Sequence, residues 1–122
     1  MYPQSKFIVS GGDLVDNYKN VNQWQWLLDT AADNLMSTAL MTTTGNHENK
    51  GYTIDENFLL PTAPEQDRSS GVYYSFDYNN AHFIILNTNN LSGENALSDD
   101  QLAWLKKDAA ASDAQWKIVS LH

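Results

Sequence analysis

The sequence predicts an α/β fold, and three observations carry that expectation. The apolar run Phe7-Ile8-Val9 stops at Ser10 and the pair Gly11-Gly12, as a short buried strand entering a tight turn does. Val21, Trp24, Leu28, Ala31 and Leu35 then recur at helical spacing and define one apolar face. Ala39 to Thr44 ends in three threonines before Gly45 and reads as a second strand. Together Phe7 to Thr44 form a β-α-β unit, whose strands run parallel with a right-handed crossover. The loops that carry Asp13 and Asn46 therefore leave the same edge of the sheet, the edge where open α/β sheets bind ligands.

Each element has local chemistry behind it. Gly11 and Gly12 permit the sharp turn that projects Asp13 and Asp16 from the first strand end. Asn20 caps the first helix, with Gln23 three residues on in a capping-box arrangement. Asn49 to Gly71, rich in polar residues and containing Pro61 and Pro64, reads as a surface excursion with a short helix near Ile54 to Leu60. Tyr74, Phe76 and Tyr78 alternate with Ser75 and Asp77, and Asn79-Asn80 turns the chain into Ala81 to Leu86 as an antiparallel hairpin. Ser98 and Gln101 mark the start of a further helix, and Trp116 to Leu121 forms a last strand ending at His122.

Bulk properties narrow the function classes. A length of 122 residues corresponds to one domain. A net charge of −8 disfavours nucleic-acid binding through a basic patch and disfavours anionic membranes. There is no cysteine, which excludes disulfides, thiolate nucleophiles and cysteine–zinc sites. No apolar run reaches the ~20 residues of a membrane span. Met1 to Lys6 lacks the apolar segment of a signal peptide.

The residues able to do chemistry stand at strand ends: Asp13 with Asp16, the run Gly45-Asn46-His47-Glu48, and His122. Carboxylate, amide and imidazole form a mixed donor set suited to Mn²⁺, Fe²⁺, Zn²⁺ or Co²⁺. His82, flanked by Ala81 and Phe83, reads as a structural histidine. A serine-type hydrolase is disfavoured, because no Gly-x-Ser-x-Gly elbow is present.

Gly12 to Asp16 (G-D-L-V-D), Gly45 to Glu48 (G-N-H-E) and Val119 to His122 (V-S-L-H) resemble, in order and placement, three successive motifs of the calcineurin-like metallophosphoesterases. Tyr73 to Tyr78, His82-Phe83 and Leu97 to Leu105 look like the purple-acid-phosphatase-related branch. The resemblance implies a metallophosphoesterase-type α/β sandwich, two sheets flanked by helices. It implies a phosphatase or phosphodiesterase acting on a small phosphoester, with two divalent transition metals about 3.5–4 Å apart and a metal-bound hydroxide as nucleophile. It makes Asp13 the bridging carboxylate, and Asn46 and His122 ligands of the second metal. His47 becomes the group that faces substrate, Asp16 its hydrogen-bond partner, and Glu48 a brace for the loop. It also favours an extracytoplasmic setting.

Two departures qualify the expectation. Asp16 stands where purple acid phosphatases carry the tyrosine that colours their Fe³⁺, so a colourless protein independent of Fe³⁺ is expected. The family's opening Asp-x-His-type motif and closing Gly-His-x-His motif are absent. Residues 1–122 are thus expected to form a partial domain, incomplete at both ends, with weak metal binding, little or no activity, and an exposed sheet edge that invites self-association. The alternative reading is a noncatalytic extracellular binding module with at most one structural cation.

Overall fold

A computed structural model describes residues 4–48, 53–63, 66–69, 71–89 and 97–122. The elements run β1 (Phe7–Ser10), α1 (Val21–Leu35), β2 (Ala39–Thr42), α2 (Thr53–Asn57), β3 (Tyr74–Tyr78), β4 (Ala81–Ile85), α3 (Asp99–Ala111) and β5 (Trp116–Ser120). Strands β1 and β2 pair in parallel, Phe7 opposite Ala39 and Ser10 opposite Thr42, which establishes the β-α-β unit. A second sheet has the order β3-β4-β5. Its first two strands form the expected hairpin, Tyr78 opposite Ala81, while β5 runs parallel to β4. Asn79 turns the hairpin at φ 54°, a left-handed conformation that asparagine tolerates well.

Aromatic rings join the two sheets. Phe7 meets Phe76, Tyr78 and Phe83 edge-on, with centroids 5.1–5.3 Å apart, and Phe76 stacks on Phe83 at 4.9 Å. Such pairs add about 0.5–1.5 kcal/mol each beyond the area they bury. The core beside them comprises Val15, Trp24, Ile54, Val72, Tyr74 and Ile85. Tyr74 crosses between the sheets and donates its hydroxyl to the Thr42 carbonyl at 2.9 Å. Burial pushes that phenol's pKa upward.

Several local expectations shift. Val21 is 73% exposed, because the inward arc of α1 centres on Trp24, with Leu27 packed against the core. Asn20 caps α1 by accepting from Asn22, but Gln23 accepts from the Asn17 backbone instead of closing a capping box. Strand β2 ends at Thr42, and α2 ends at Asn57 rather than Leu60. Part of the Asn49–Gly71 excursion lies outside the described residues. Ser98 caps α3 by accepting from the Gln101 N–H, yet the Gln101 side chain turns inward and is 1% exposed.

Helix α3 packs on the His82 face of the second sheet, where Trp104 meets Tyr73 with ring centroids 4.9 Å apart and Asp108 makes polar contacts. His82 is buried between two carboxylates, its Nδ1 2.7 Å from Asp77 and its Nε2 2.8 Å from Asp108. Ser75 donates to the other Asp108 oxygen at 2.8 Å. Two carboxylates at opposite ring nitrogens suit an imidazolium, which donates at both. Burial pulls the His82 pKa down, but the hydrogen bonds and charges of Asp77 and Asp108 outweigh it and leave it raised. The folded protein therefore holds this proton more tightly than the unfolded chain. The clamp is at full strength below the ordinary histidine pKa of about 6.5 and weakens as pH rises through the higher folded value. Thermal melts between about pH 6 and 9 should show stability falling with pH, and His82→Asn should flatten that slope; parallel slopes would mean the clamp contributes nothing.

Candidate functional site

Three loops leave the carboxyl ends of β1, β2 and β5 and meet. Gly12 (φ 93°) and Asp13 (φ 51°) make the first turn. A Cβ on Gly12 would sit 2.8 Å from the Gly45 nitrogen and 2.9 Å from His122 Nδ1. One on Gly45 would run into the backbone and carboxylate of Asp13. Both positions need glycine because the two backbones touch.

Glu48 fixes that contact. It is fully buried, and its carboxylate accepts backbone N–H groups from Asp13 (3.0 Å), Val15 (2.9 Å) and Gly45 (2.9 Å). One anionic side chain thereby ties the first loop to the second, with each bond charge-assisted. The Asp13 carboxylate in turn accepts from the His47 N–H at 3.1 Å. At the end of β2, the Thr43 N–H donates to the Ser10 carbonyl, and the Thr43 hydroxyl lies 3.0 Å from that of Ser120 on β5.

The site residues come together on this frame. His122 Nδ1 lies 2.7 Å from the Gly11 carbonyl, which only accepts, so Nδ1 carries the proton. That leaves His122 Nε2 facing Asn46 Oδ1 at 3.0 Å and Asp13 Oδ2 at 3.2 Å. An imidazole lone pair and two oxygen acceptors converge there, an arrangement relieved by a shared proton or a cation. The Asp13 and His122 side chains are 34% and 30% exposed, so a ligand can reach them. Asp, Asn and His donors at this spacing fit a divalent metal. Among the described residues no three His, Cys, Asp or Glu side chains form a metal cluster, because the third donor here is an amide.

His47 lines an adjacent cavity of about 210 Å³ with Asp13, Leu14, Val15 and Asp16. Its Nδ1 lies 2.6 Å from the main-chain carbonyl of Asp16, and the Asp16 carboxylate stands farther off at 3.5 Å. Asp16 thus meets His47 chiefly through its backbone. The His47 pKa is raised, first by that carbonyl and then, against some desolvation, by the charges of Asp13, Asp16 and Glu48.

The sequence profile of the calcineurin-like phosphoesterases matches residues 3–122, and the chain belongs to that family. Membership implies divalent metal ions. Among curated relatives, purple acid phosphatase 23 of Arabidopsis thaliana is 34% identical over 88 residues, 64% of this chain and 18% of the relative. Purple acid phosphatase 15 of the same plant is 35% identical over 101 residues, 74% of this chain and 18% of the relative. The chain thus spans under a fifth of the length of these relatives. The structure of purple acid phosphatase PPD1 from yellow lupin (Lupinus luteus) seeds superposes with a TM-score of 0.71 over 95% of this chain and 22% of that one. At 23% identity it shows the shared fold, the metallophosphoesterase sandwich.

Sequence reasoning left Asn87, Thr88 and Asn89 unassigned, although they occupy the corresponding end of β4. The signal was a polar run directly after a buried strand.

Glu48→Gln places an amide N–H₂ among three N–H donors. It should destabilise the protein by about 3 kcal/mol, read as a lowered denaturation midpoint, with Glu48→Ala at least as costly.

Proposed function

We propose that this chain is part of a metal-dependent phosphoric ester hydrolase and that Asp13, Asn46 and His122 hold a divalent transition metal (Mn, Fe, Zn or Co). The observation that carries this reading is the convergence of His122 Nε2, Asn46 Oδ1 and Asp13 Oδ2 from three separate loops. In a dinuclear form Asp13 would help to hold both ions, and its charge would offset their repulsion. Bound divalent ions supply Lewis acidity and the means to ionise water near neutral pH.

The chain's own residues do the rest. With Nδ1 given to the Asp16 carbonyl, His47 keeps Nε2 as its working end beside the cavity. From there it donates a hydrogen bond to a phosphoryl oxygen, or passes its proton to the leaving alkoxide as the P–O bond breaks. Asp16 holds the ring in that tautomer. Glu48 and Gly45 keep Asp13 and Asn46 at fixed separation. Asp16, in place of a coloured iron site's tyrosine, accords with a colourless centre of divalent ions. The substrate is a small phosphoester, mono- or diester, and the setting favoured by the resemblance is extracytoplasmic; no described helix is long and apolar enough to cross a membrane.

Three protein donors leave a four-coordinate ion one position open for water or substrate, while the chain spans under a fifth of the length of its relatives. We therefore read residues 1–122 as a partial domain whose isolated activity is weak. Mn²⁺ titration followed by electron paramagnetic resonance should show weak binding that Asp13→Ala and His122→Ala each loosen by about tenfold or more. Slow hydrolysis of p-nitrophenyl phosphate with Mn²⁺ should fall about a further hundredfold in His47→Ala. Binding indifferent to both ligand substitutions would remove the metal assignment, and turnover indifferent to His47→Ala would remove the acid.

We also propose self-association through β5. It is the outer strand of its sheet, and Trp116, Ile118 and Val119 are exposed along it. Light scattering should show mass rising with concentration and Val119→Lys reversing the rise. A monomer at every concentration would refute it.

A further inference from the structure

The segment Asn87-Thr88-Asn89 touches two of the three site loops and one helix. Gln101 of α3 grips the Asn87 main chain at two points, accepting its N–H at 2.9 Å and donating to its carbonyl at 2.8 Å, as a neighbouring strand would. Gln101 and Asn87 are 1% and 2% exposed, so water does not compete for these bonds. The Asn87 side-chain oxygen accepts from the Asn89 backbone N–H at 3.0 Å and from its amide at 3.2 Å. That orients Asn89 Nδ2 toward the carbonyls of Thr44 (3.1 Å) and Gly45 (3.2 Å), the residues that lead into Asn46. One residue earlier, the Thr88 hydroxyl donates to the main-chain oxygen of His122 at 2.9 Å.

We infer that Thr88 and Asn89 are positioning residues for the candidate metal centre: docked on α3 through Gln101, their segment straps the Gly45 loop and the His122 tail into a single geometry. The chemistry is directional. Both contacts need a donor, because their targets are carbonyl oxygens. An aspartate at 89 has the shape of asparagine but turns acceptors toward acceptors, and a valine at 88 has the shape of threonine without its proton. Neither residue reaches the reacting atoms. They act by holding Asn46 and His122, and only the metal-affinity part of the test rests on the reading proposed above.

The test uses the metal-free chain first. In Asn89→Asp, the amides of Gly45 and His47, hydrogen-bonded to Glu48 and Asp13, should exchange at least about tenfold faster by NMR, while amides of β3 and β4 keep their protection. In Thr88→Val, the ring resonances of His122 should move, and Thr88→Ser should restore them. Mn²⁺ affinity should drop about tenfold in both Asn89→Asp and Thr88→Val. If Asn89→Asp does not fold, Asn89→Ala removes the donors without adding charge and gives the same readout. Unchanged exchange at Gly45 and His47 overturns the inference. So does equal loss of protection across the hairpin, which would make the segment a general stabiliser, or loop loosening with Mn²⁺ affinity intact. If the unmodified chain binds no Mn²⁺, the metal reading fails, and the exchange and ring-resonance data decide the strap by themselves.

Discussion

Two loops more than thirty residues apart in sequence are held together by one buried carboxylate. Glu48 contributes no chemistry of its own to the site, yet its three N–H partners set where Asp13 and Gly45 lie. A water-excluded anion receiving three backbone donors is costly to disturb, since removing it strands the donors as well. The glycine at 45 and the left-handed turn at Gly12-Asp13 follow from this contact: the loops approach until there is no room for a side chain between them. Loop positions set by main-chain bonds are stiffer than positions left to side-chain rotamers, which suits the fixed donor geometry proposed for Asp13 and Asn46.

The packing divides into two kinds of surface. Toward the first sheet, the β3–β4 hairpin presents aromatic rings to Phe7, a contact built on area and ring geometry. Toward α3 the same hairpin presents Ser75, Asp77 and His82, and the helix answers with Asp108. Apolar burial supplies most of the stabilisation. The polar side fixes the helix's register, because a slip of one turn would take Asp108 away from both His82 Nε2 and Ser75. Gln101 belongs to the same logic, spending its buried amide on the chain just beyond β4.

Much of this was legible in the sequence, and the boundary is physical. The β-α-β unit, the hairpin and the capped third helix are written in short-range periodicity and turn residues, and they form where those signals place them. Asp13, Asn46, His47 and His122 were legible as ordered motifs at strand ends, and the fold brings them to one spot. Contacts made by carbonyls were not legible, since a carbonyl carries no residue identity: the Asp16 oxygen on His47 and the Gly11 oxygen on His122 are such cases. Val21 was misread because a helical stripe of apolar residues fixes a face only to within a residue or so on either side. The strap at Asn87 to Asn89 escaped because asparagine runs serve equally well as solvated turns.

The bond between Gly11 and His122 spans 111 residues, so the site closes a very long loop. Closure entropy grows only with the logarithm of loop length, each doubling adding about 0.6 kcal/mol, so equilibrium barely registers the distance. Kinetics registers it more strongly, because contacts remote in sequence and parallel strand pairings form slowly. A chain emerging from the ribosome can complete its β-α-β unit and its hairpin before β5 exists. The convergence of Asp13, Asn46 and His122 consequently waits on β5, and an ion seated there would report that the first and the fifth strand have found their places.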